Sequence, residues 1–189
     1  FYQKKIILFP GRLTSWKGHE MFIESLNIFK QKNPDKLFYV IILGSDQGRK
    51  IYKKKIQRLV EQHRLVQDIL FIDNCENMPL AYKISDIVTN CSIEPEAFGR
   101  VAVEAQAMKK VIVASDIGGS RETIINNKTG FLFKAGDAVA LSDILSHIFE
   151  LNETTLKSMG NEGRKNVINK FNVEKMCFST YSEYKKLIA

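Results

Sequence analysis

Two acids, Glu96 and Glu104, stand eight positions apart and bracket the run Ala97-Phe98-Gly99-Arg100-Val101-Ala102-Val103. Far upstream, Gly11-Arg12-Leu13 and Lys17-Gly18 place two cations beside two glycines. An ionised carboxylate accepts hydrogen bonds on both oxygens, so Glu104 suits the paired hydroxyls of a ribose and Glu96 those of a sugar. Arg12 offers a planar fork matched to phosphate oxygens, and Lys17 a mobile point charge. Gly11 and Gly18 lack a Cβ and let the backbone come close to a ligand. Together the two runs describe a socket for a nucleoside diphosphate with a sugar attached.

Each run also has a plainer reading. Arg12 and Lys17 can belong to a solvated loop that starts a helix, and Glu96 can simply favour a helix dipole. Glu104, however, lies in Val101-Ala102-Val103-Glu104-Ala105-Gln106-Ala107, an otherwise nearly apolar segment where an acid needs a partner. Gly99 is expected to open the helix over residues 101–108. The amides of residues 98–101 would then point out of its N-terminus, a seat for phosphate or sugar oxygens. Glu94 is the competing first acid; the spacing to Glu104 and the adjacent Phe98-Gly99 favour Glu96.

These loops need a frame. Continuous apolar runs at residues 5–9, 37–43, 69–72, 87–90, 111–114 and 130–133 read as strands buried on both faces. Helical stripes separate them: Phe22, Leu26 and Phe29, then residues 101–108 and 138–149. The alternation predicts an α/β fold, a Rossmann-like parallel sheet with helices on both faces, in a single domain spanning residues 1–189. Ligands of such sheets gather at the carboxyl ends of the strands. Residues 11–18, 44–46, 73–75, 92–99 and 116–119 supply polar loops at five successive strand ends. From Thr154 to Ala189 the pattern is helical. Its amphipathic stripe (Phe171, Met176, Phe178, Tyr181, Tyr184, Leu187) fits either core packing or a domain interface.

The hydrophobic share of 44% and charged share of 26% suit a soluble globular chain, and no run is long enough to cross a bilayer. The net charge of +7 favours anionic partners. Its densest cluster is Arg49-Lys50-Ile51-Tyr52-Lys53-Lys54-Lys55-Ile56-Gln57-Arg58. That run reads first as the solvated face of a helix with Ile51, Ile56, Leu59 and Val60 turned inward. Peripheral contact with an acidic membrane is the second reading. Nucleic acid is not expected, since no interleaved aromatics or known module accompany the charge. Cys75, Cys91 and Cys177 lack metal-ligand spacing and are read as reduced, buried thiols of a cytoplasmic protein. With no Asp-x-Asp, paired histidines or Cys-x-x-Cys, no metal is expected.

The residues also carry a family resemblance. Gly11-Arg12-Leu13 with Lys17-Gly18, Glu96 to Glu104 around Phe98-Gly99, Asp116-Ile117-Gly118-Gly119-Ser120-Arg121-Glu122, and Thr129-Gly130-Phe131-Leu132 occur in the order found in family 4 of the GT-B glycosyltransferases, the glycosyl transferases group 1. The chain resembles the C-terminal, nucleotide-sugar-binding half of such enzymes over nearly its whole length. The resemblance implies a retaining transferase that takes its sugar from a nucleoside diphosphate sugar, and no cofactor is expected. It places Arg12 and Lys17 on the diphosphate, Glu104 on the ribose, and Glu96 with the backbone of Ala97, Phe98 and Gly99 on the donor sugar. The amides of Arg100 and Val101 would lie near the phosphates, and Asn74 and Cys75 would border the base, although many relatives have Gly where Cys75 stands. An N-terminal domain, absent from this chain, would bring the glycan or glycolipid acceptor. The opening strand with no lead-in after Phe1 agrees with a fragment. The family's common roles suggest bacterial surface-glycan or lipopolysaccharide synthesis at the inner face of the membrane. A nucleotide-sugar epimerase on the same fold and a non-catalytic nucleotide-binding module are the alternatives.

Overall fold

A computed structural model describes residues 4–188; residues 1–3 and 189, the ends of the expected domain, lie outside it. Six strands form one all-parallel sheet: β1 (Lys5–Pro10), β2 (Phe38–Leu43), β3 (Ile69–Ile72), β4 (Ile87–Asn90), β5 (Val111–Ser115) and β6 (Phe131–Phe133). Their spatial order is β3-β2-β1-β4-β5-β6. The chain runs outward from β1 through β3, then returns to place β4 on the free side of β1, where Ile7 pairs with Ile87 and Leu8 with Val88. This is the doubly wound Rossmann order, and its switch point lies between β1 and β4.

Every expected strand is present within one residue of its expected bounds. The apolar runs are continuous because each strand feeds two cores. Ile7, Phe9, Val40, Ile42, Val111 and Val113 join one cluster, packed by α1 (His19–Lys32) and α6 (Ala138–Glu150). Leu8, Val88, Ile112 and Ala114 join the other, packed by α3 (Met78–Ile84) and α4 (Arg100–Ala107). Phe22, Leu26 and Phe29 are fully buried, as the stripe predicts. Cover is incomplete at the β3 edge, where Tyr39 and Leu70 are exposed.

Three expectations need correction. In α2 (Lys50–Gln62), Ile56 and Val60 are buried and Leu59 packs against them, but Ile51 is 89% exposed. Helical geometry explains this, because five residues at 100° each set Ile51 about 140° away from Ile56. Of the cysteines only Cys91 is buried; Cys75 is half-buried and Cys177 exposed, all three being free thiols. Finally, α7 (Glu153–Lys170) packs on the domain, whereas α8 (Val173–Ile188) buries no residue. The stripe of Met176, Phe178, Tyr181, Tyr184 and Leu187 is therefore not core. Sequence reading also did not name α3, begun by Asn77, whose side chain accepts from the Leu80 amide, nor the single turn α5 (Ser120–Thr123).

A 3-10 turn at Ser15–Lys17 leads into α1 through Gly18 at φ 77°. A Cβ there would stand 2.0 Å from the Cys91 carbonyl oxygen, so only glycine lets the β1 loop pass the end of β4. We expect Gly18→Ala to cost about 3 kcal/mol or more, the range reached when backbone must move. Gly136→Ala, at φ 79° but with open space around it, should cost only about 1–2 kcal/mol. Denaturant melts of the two variants make the comparison.

His19 follows in the core, its ring 4.4 Å from that of Phe9. Burial pulls its pKa from 6.5 down to about 4; the Thr14 backbone opposes the shift and the Lys17 charge assists it. The unfolded chain takes up this proton near 6.5 and the folded chain only near 4. The contribution to stability is thus complete above pH 6.5 and lost as the pH falls toward 4, amounting to about 3 kcal/mol at most. An NMR titration should find the His19 ring neutral down to about pH 4, and His19→Leu should flatten stability across that window.

Candidate active site at the sheet switch point

The loops after β1 and β4 emerge side by side, and the amide of Ile93 ties them together by donating to the Trp16 carbonyl at 2.8 Å. Lys17 ends the turn of the first loop with only 9% of its side chain exposed, and its Nζ meets Glu96 Oε1 at 2.8 Å. The ammonium also lies 4.5 Å from the centroid of the Trp16 ring. Its alkyl stem passes Gly11, whose missing Cβ would be an ordinary 3.6 Å from Lys17 Cδ. Steric need at Gly11 is therefore weaker than at Gly18. The tighter approach is from Gly44, where a Cβ would stand 2.1 Å from the Gly11 carbonyl oxygen.

Glu96 shares its Oε1 with Ser92, whose hydroxyl donates at 2.5 Å, and Asn90 lies behind Ser92 at 3.1 Å. Burial alone would raise the carboxyl pKa. The Lys17 hydrogen bond, the Ser92 hydroxyl, the Lys17 charge and Asn90 together outweigh burial and hold it below the usual carboxylate range. Glu96 is therefore an anion at neutral pH, matched by the cation on the facing loop. Glu94 is exposed, and Glu96 is the acid that the fold turns inward.

The β5 loop holds Glu96 from outside. The Gly119 amide donates to the Glu96 carbonyl at 2.8 Å. A Cβ on Gly118, at φ 52°, would come within 2.5 Å of that oxygen, and one on Gly119 within 2.4 Å of the Phe98 carbonyl oxygen. Ala97 and Phe98 stay exposed, with Phe98 edge-on to Phe171 at 5.7 Å. Gly99, at φ 76°, caps α4 as expected. The amides of Arg100 and Val101 donate to no carbonyl among the described residues and remain free at the helix N-terminus.

Glu104 is one turn further along, its side chain 33% exposed. Arg100 binds Oε1 through Nη2 at 2.8 Å and Nε at 3.1 Å, and the Tyr82 hydroxyl donates to Oε2 at 2.7 Å. Arg12 is exposed, its side chain forms no ion pair among the described residues, and its guanidinium donates to Gln47 Oε1 at 3.4 Å. The structure thus joins Lys17 directly to Glu96. Arg12 and Glu104 bond to neither. Asn74 is exposed after β3, while the Cys75 side chain packs inward beside the Tyr82 cluster. Sequence analysis names Gly118-Gly119 and the loop holding Ser92 only as strand-end loops, without the brace on Glu96 or the Ser92 bond, and it assigns nothing to Tyr82 or Asn90, which belong to no spacing pattern.

Among the described residues no group of three or more His, Cys, Asp or Glu is placed to hold a metal ion. None of their helices is long and apolar enough to cross a membrane. A cavity of about 500 Å³ lined by Lys4, Lys5, Asp86, Lys109, Lys110 and Glu153 lies at the opposite end of the strands, away from these loops.

Comparison with known proteins agrees with this fold. The sequence model described as glycosyl transferases group 1 matches residues 2–166. A glycosyltransferase structure from Rickettsia africae ESF-5 superposes with a TM-score of 0.91 at 36% identity, over 98% of this chain and 48% of that one. The D-inositol 3-phosphate glycosyltransferase of Corynebacterium glutamicum (strain R) is 29% identical over 155 residues, 81% of this chain and 37% of its own length. The chain therefore spans half or less of these relatives. It nearly coincides with the C-terminal domain of the group 1 family protein LpcC from Francisella tularensis: 26% identity, TM-score 0.79, covering 89% of this chain and 87% of that one. The sheet order, the loops at its switch point and the family match over most of its length lead to one conclusion: the chain belongs to the glycosyl transferases group 1.

Proposed function

We propose that this chain is the donor-binding half of a retaining glycosyltransferase that uses a nucleoside diphosphate sugar. The observation that carries the reading is the Lys17–Glu96 pair, a cation and an anion held together at the switch point by two separate loops. Lys17, with Arg12 free at the loop rim, neutralises the diphosphate. The amides of Arg100 and Val101 supply neutral donors beside it, Glu104 takes the ribose, and Asn74 and Cys75 border the base. Glu96, with the backbone of Ala97, Phe98 and Gly99, holds the donor sugar.

In the reaction, the bond from the sugar's anomeric carbon to the diphosphate breaks while an acceptor hydroxyl bonds to that carbon from the same face. The hydroxyl proton passes to the departing phosphate oxygen. Charge developing on that oxygen falls to Lys17 and Arg12, so positioning and electrostatics carry the catalysis. Two cations do what a metal does elsewhere, and the proposed binding is metal-independent. The exposed apolar stripe of α8 and the open rim at Arg12 fit a second domain that closes over the cleft and brings a glycan or glycolipid acceptor. Bacterial surface-glycan or lipopolysaccharide synthesis is the setting this reading favours, with the basic face of α2 available to an acidic membrane.

Calorimetric titration of this chain with UDP, GDP and ADP tests the site, and one of them should bind equally in EDTA and in Mg²⁺. Arg12→Ala and Lys17→Ala should each weaken that binding by about 1.5–3 kcal/mol. In the protein carrying its second domain, each should slow transfer by about 100-fold or more. Binding that needs Mg²⁺, or variants that bind as wild type while folded, would overturn the assignment.

A further inference from the structure

We infer that Tyr82 is the positioning residue for Glu104, fixing one carboxylate oxygen from the core so that the other is presented to a ribose diol. The inference rests on the proposed role of Glu104 in nucleotide binding. Tyr82 is 2% exposed and packs among Ala81, Val88, Ala102, Ala105 and Ile112. Ala102 and Ala105 lie on the buried face of α4, where their small side chains leave room for the ring. The backbone of Tyr82 is held too, since its carbonyl accepts from the Ser85 hydroxyl at 2.8 Å. The phenol oxygen ends 2.7 Å from Glu104 Oε2.

The two partners of Glu104 differ in kind. Arg100 binds Oε1 from a side chain that is 85% exposed, an i,i+4 pair screened by solvent and easily exchanged. The Tyr82 hydroxyl has no such freedom, because releasing it would strand a buried donor. Burial first, then the bond to Glu104, raise the phenol's pKa above its ordinary range, so the hydroxyl remains a donor. The carboxylate is therefore pinned at Oε2 and replaceable at Oε1. A vicinal diol can take the place of Arg100 on Oε1 while Tyr82 prevents the carboxylate from turning away. Removing the phenol oxygen should leave phosphate binding in place and blunt the recognition of ribose. A merely structural tyrosine would weaken all ligands alike.

The test uses the tightest binder among UDP, GDP and ADP, together with its 2′-deoxy form. Wild type should prefer the ribose form by about 10-fold or more, as for loss of a hydrogen bond to a charged group. Tyr82→Phe should cut that preference to about 3-fold or less while its affinity for the deoxy form changes about 2-fold at most. Glu104→Gln should lose the preference as well. Preference lost in Glu104→Gln but intact in Tyr82→Phe overturns the Tyr82 role alone; no preference in wild type overturns the ribose role of Glu104 and this inference with it. If Tyr82→Phe does not fold, ¹³Cζ-labelled tyrosine in wild type gives a second readout, with the Tyr82 signal assigned through Glu104→Gln. Saturating nucleotide should shift the Arg100 Nε resonance and leave Tyr82 in its hydrogen-bonded position; a Tyr82 hydroxyl released on binding overturns the inference.

Discussion

The Lys17–Glu96 pair is the constraint around which the carboxyl end of the sheet is arranged. Its side chains are 9% and 17% exposed, so both ions have given up most of their water. Such withdrawal is expensive unless geometry and further hydrogen bonds compensate. Ser92 and Asn90 provide that compensation on the acid side, and the face of Trp16 provides it on the cation side. The backbone must then bring the two loops close, which explains the glycines. Gly18 clears the Cys91 carbonyl, Gly44 clears Gly11, and Gly118 and Gly119 clear Glu96 and Phe98. These four approaches leave no space for a side chain, and each lies beside a residue proposed to hold the ligand or beside that residue's support.

The second acid is supported differently. Helix α4 carries Glu104 and is anchored from behind by buried amides. Gln106 donates to the carbonyls of Ala102 and Thr123, while Asn166 on α7 donates to Gln106 Oε1 and the Thr123 carbonyl. Gly160 lets α7 lie close against the Lys109 carbonyl, where a Cβ would be 2.2 Å away. Helix α7 thus fixes the angle of α4, and through it the placement of Glu104. A satisfied buried network of this kind specifies one packing arrangement where apolar contacts alone would tolerate several.

Much of the fold was legible because strands covered on both faces leave near-continuous apolar runs, as β1, β2 and β5 do; β4 shortens to Ile87-Val88 before Thr89 and Asn90, and β3 keeps Leu70 exposed. Arg12, Lys17 and Glu96 stand out in the sequence as residue types in loops at strand ends, and Glu104 as an acid inside an otherwise apolar helix. Their partnerships were not. Lys17 and Glu96 meet across 79 positions, and no spacing rule reaches that far. Tyr82 looks like any aromatic in a short apolar helix, because what matters is where its one polar atom emerges. Ile51 and Cys177 were read as buried since an apolar side chain does not announce whether its surroundings are protein or solvent. The stripe of α8 has the same ambiguity: its periodicity is that of a packed helix, but none of its residues is buried in the described domain.

The strand order has a consequence for how the molecule acquires its site. Strands β1, β2 and β3 neighbour one another in sequence and in space, so this half can pair as it emerges during synthesis. Strand β4 must then find the open edge of β1, with Asp86 accepting from the Ile6 amide across 80 residues. Until it does, β1 presents an unpaired apolar edge, the kind of surface that invites wrong partners and slows folding. Gly18 has no carbonyl to pass, and Lys17 no acid to meet, before that closure. The site is therefore the seam between two halves of the chain: it is completed only when they join, and it is lost as soon as they part.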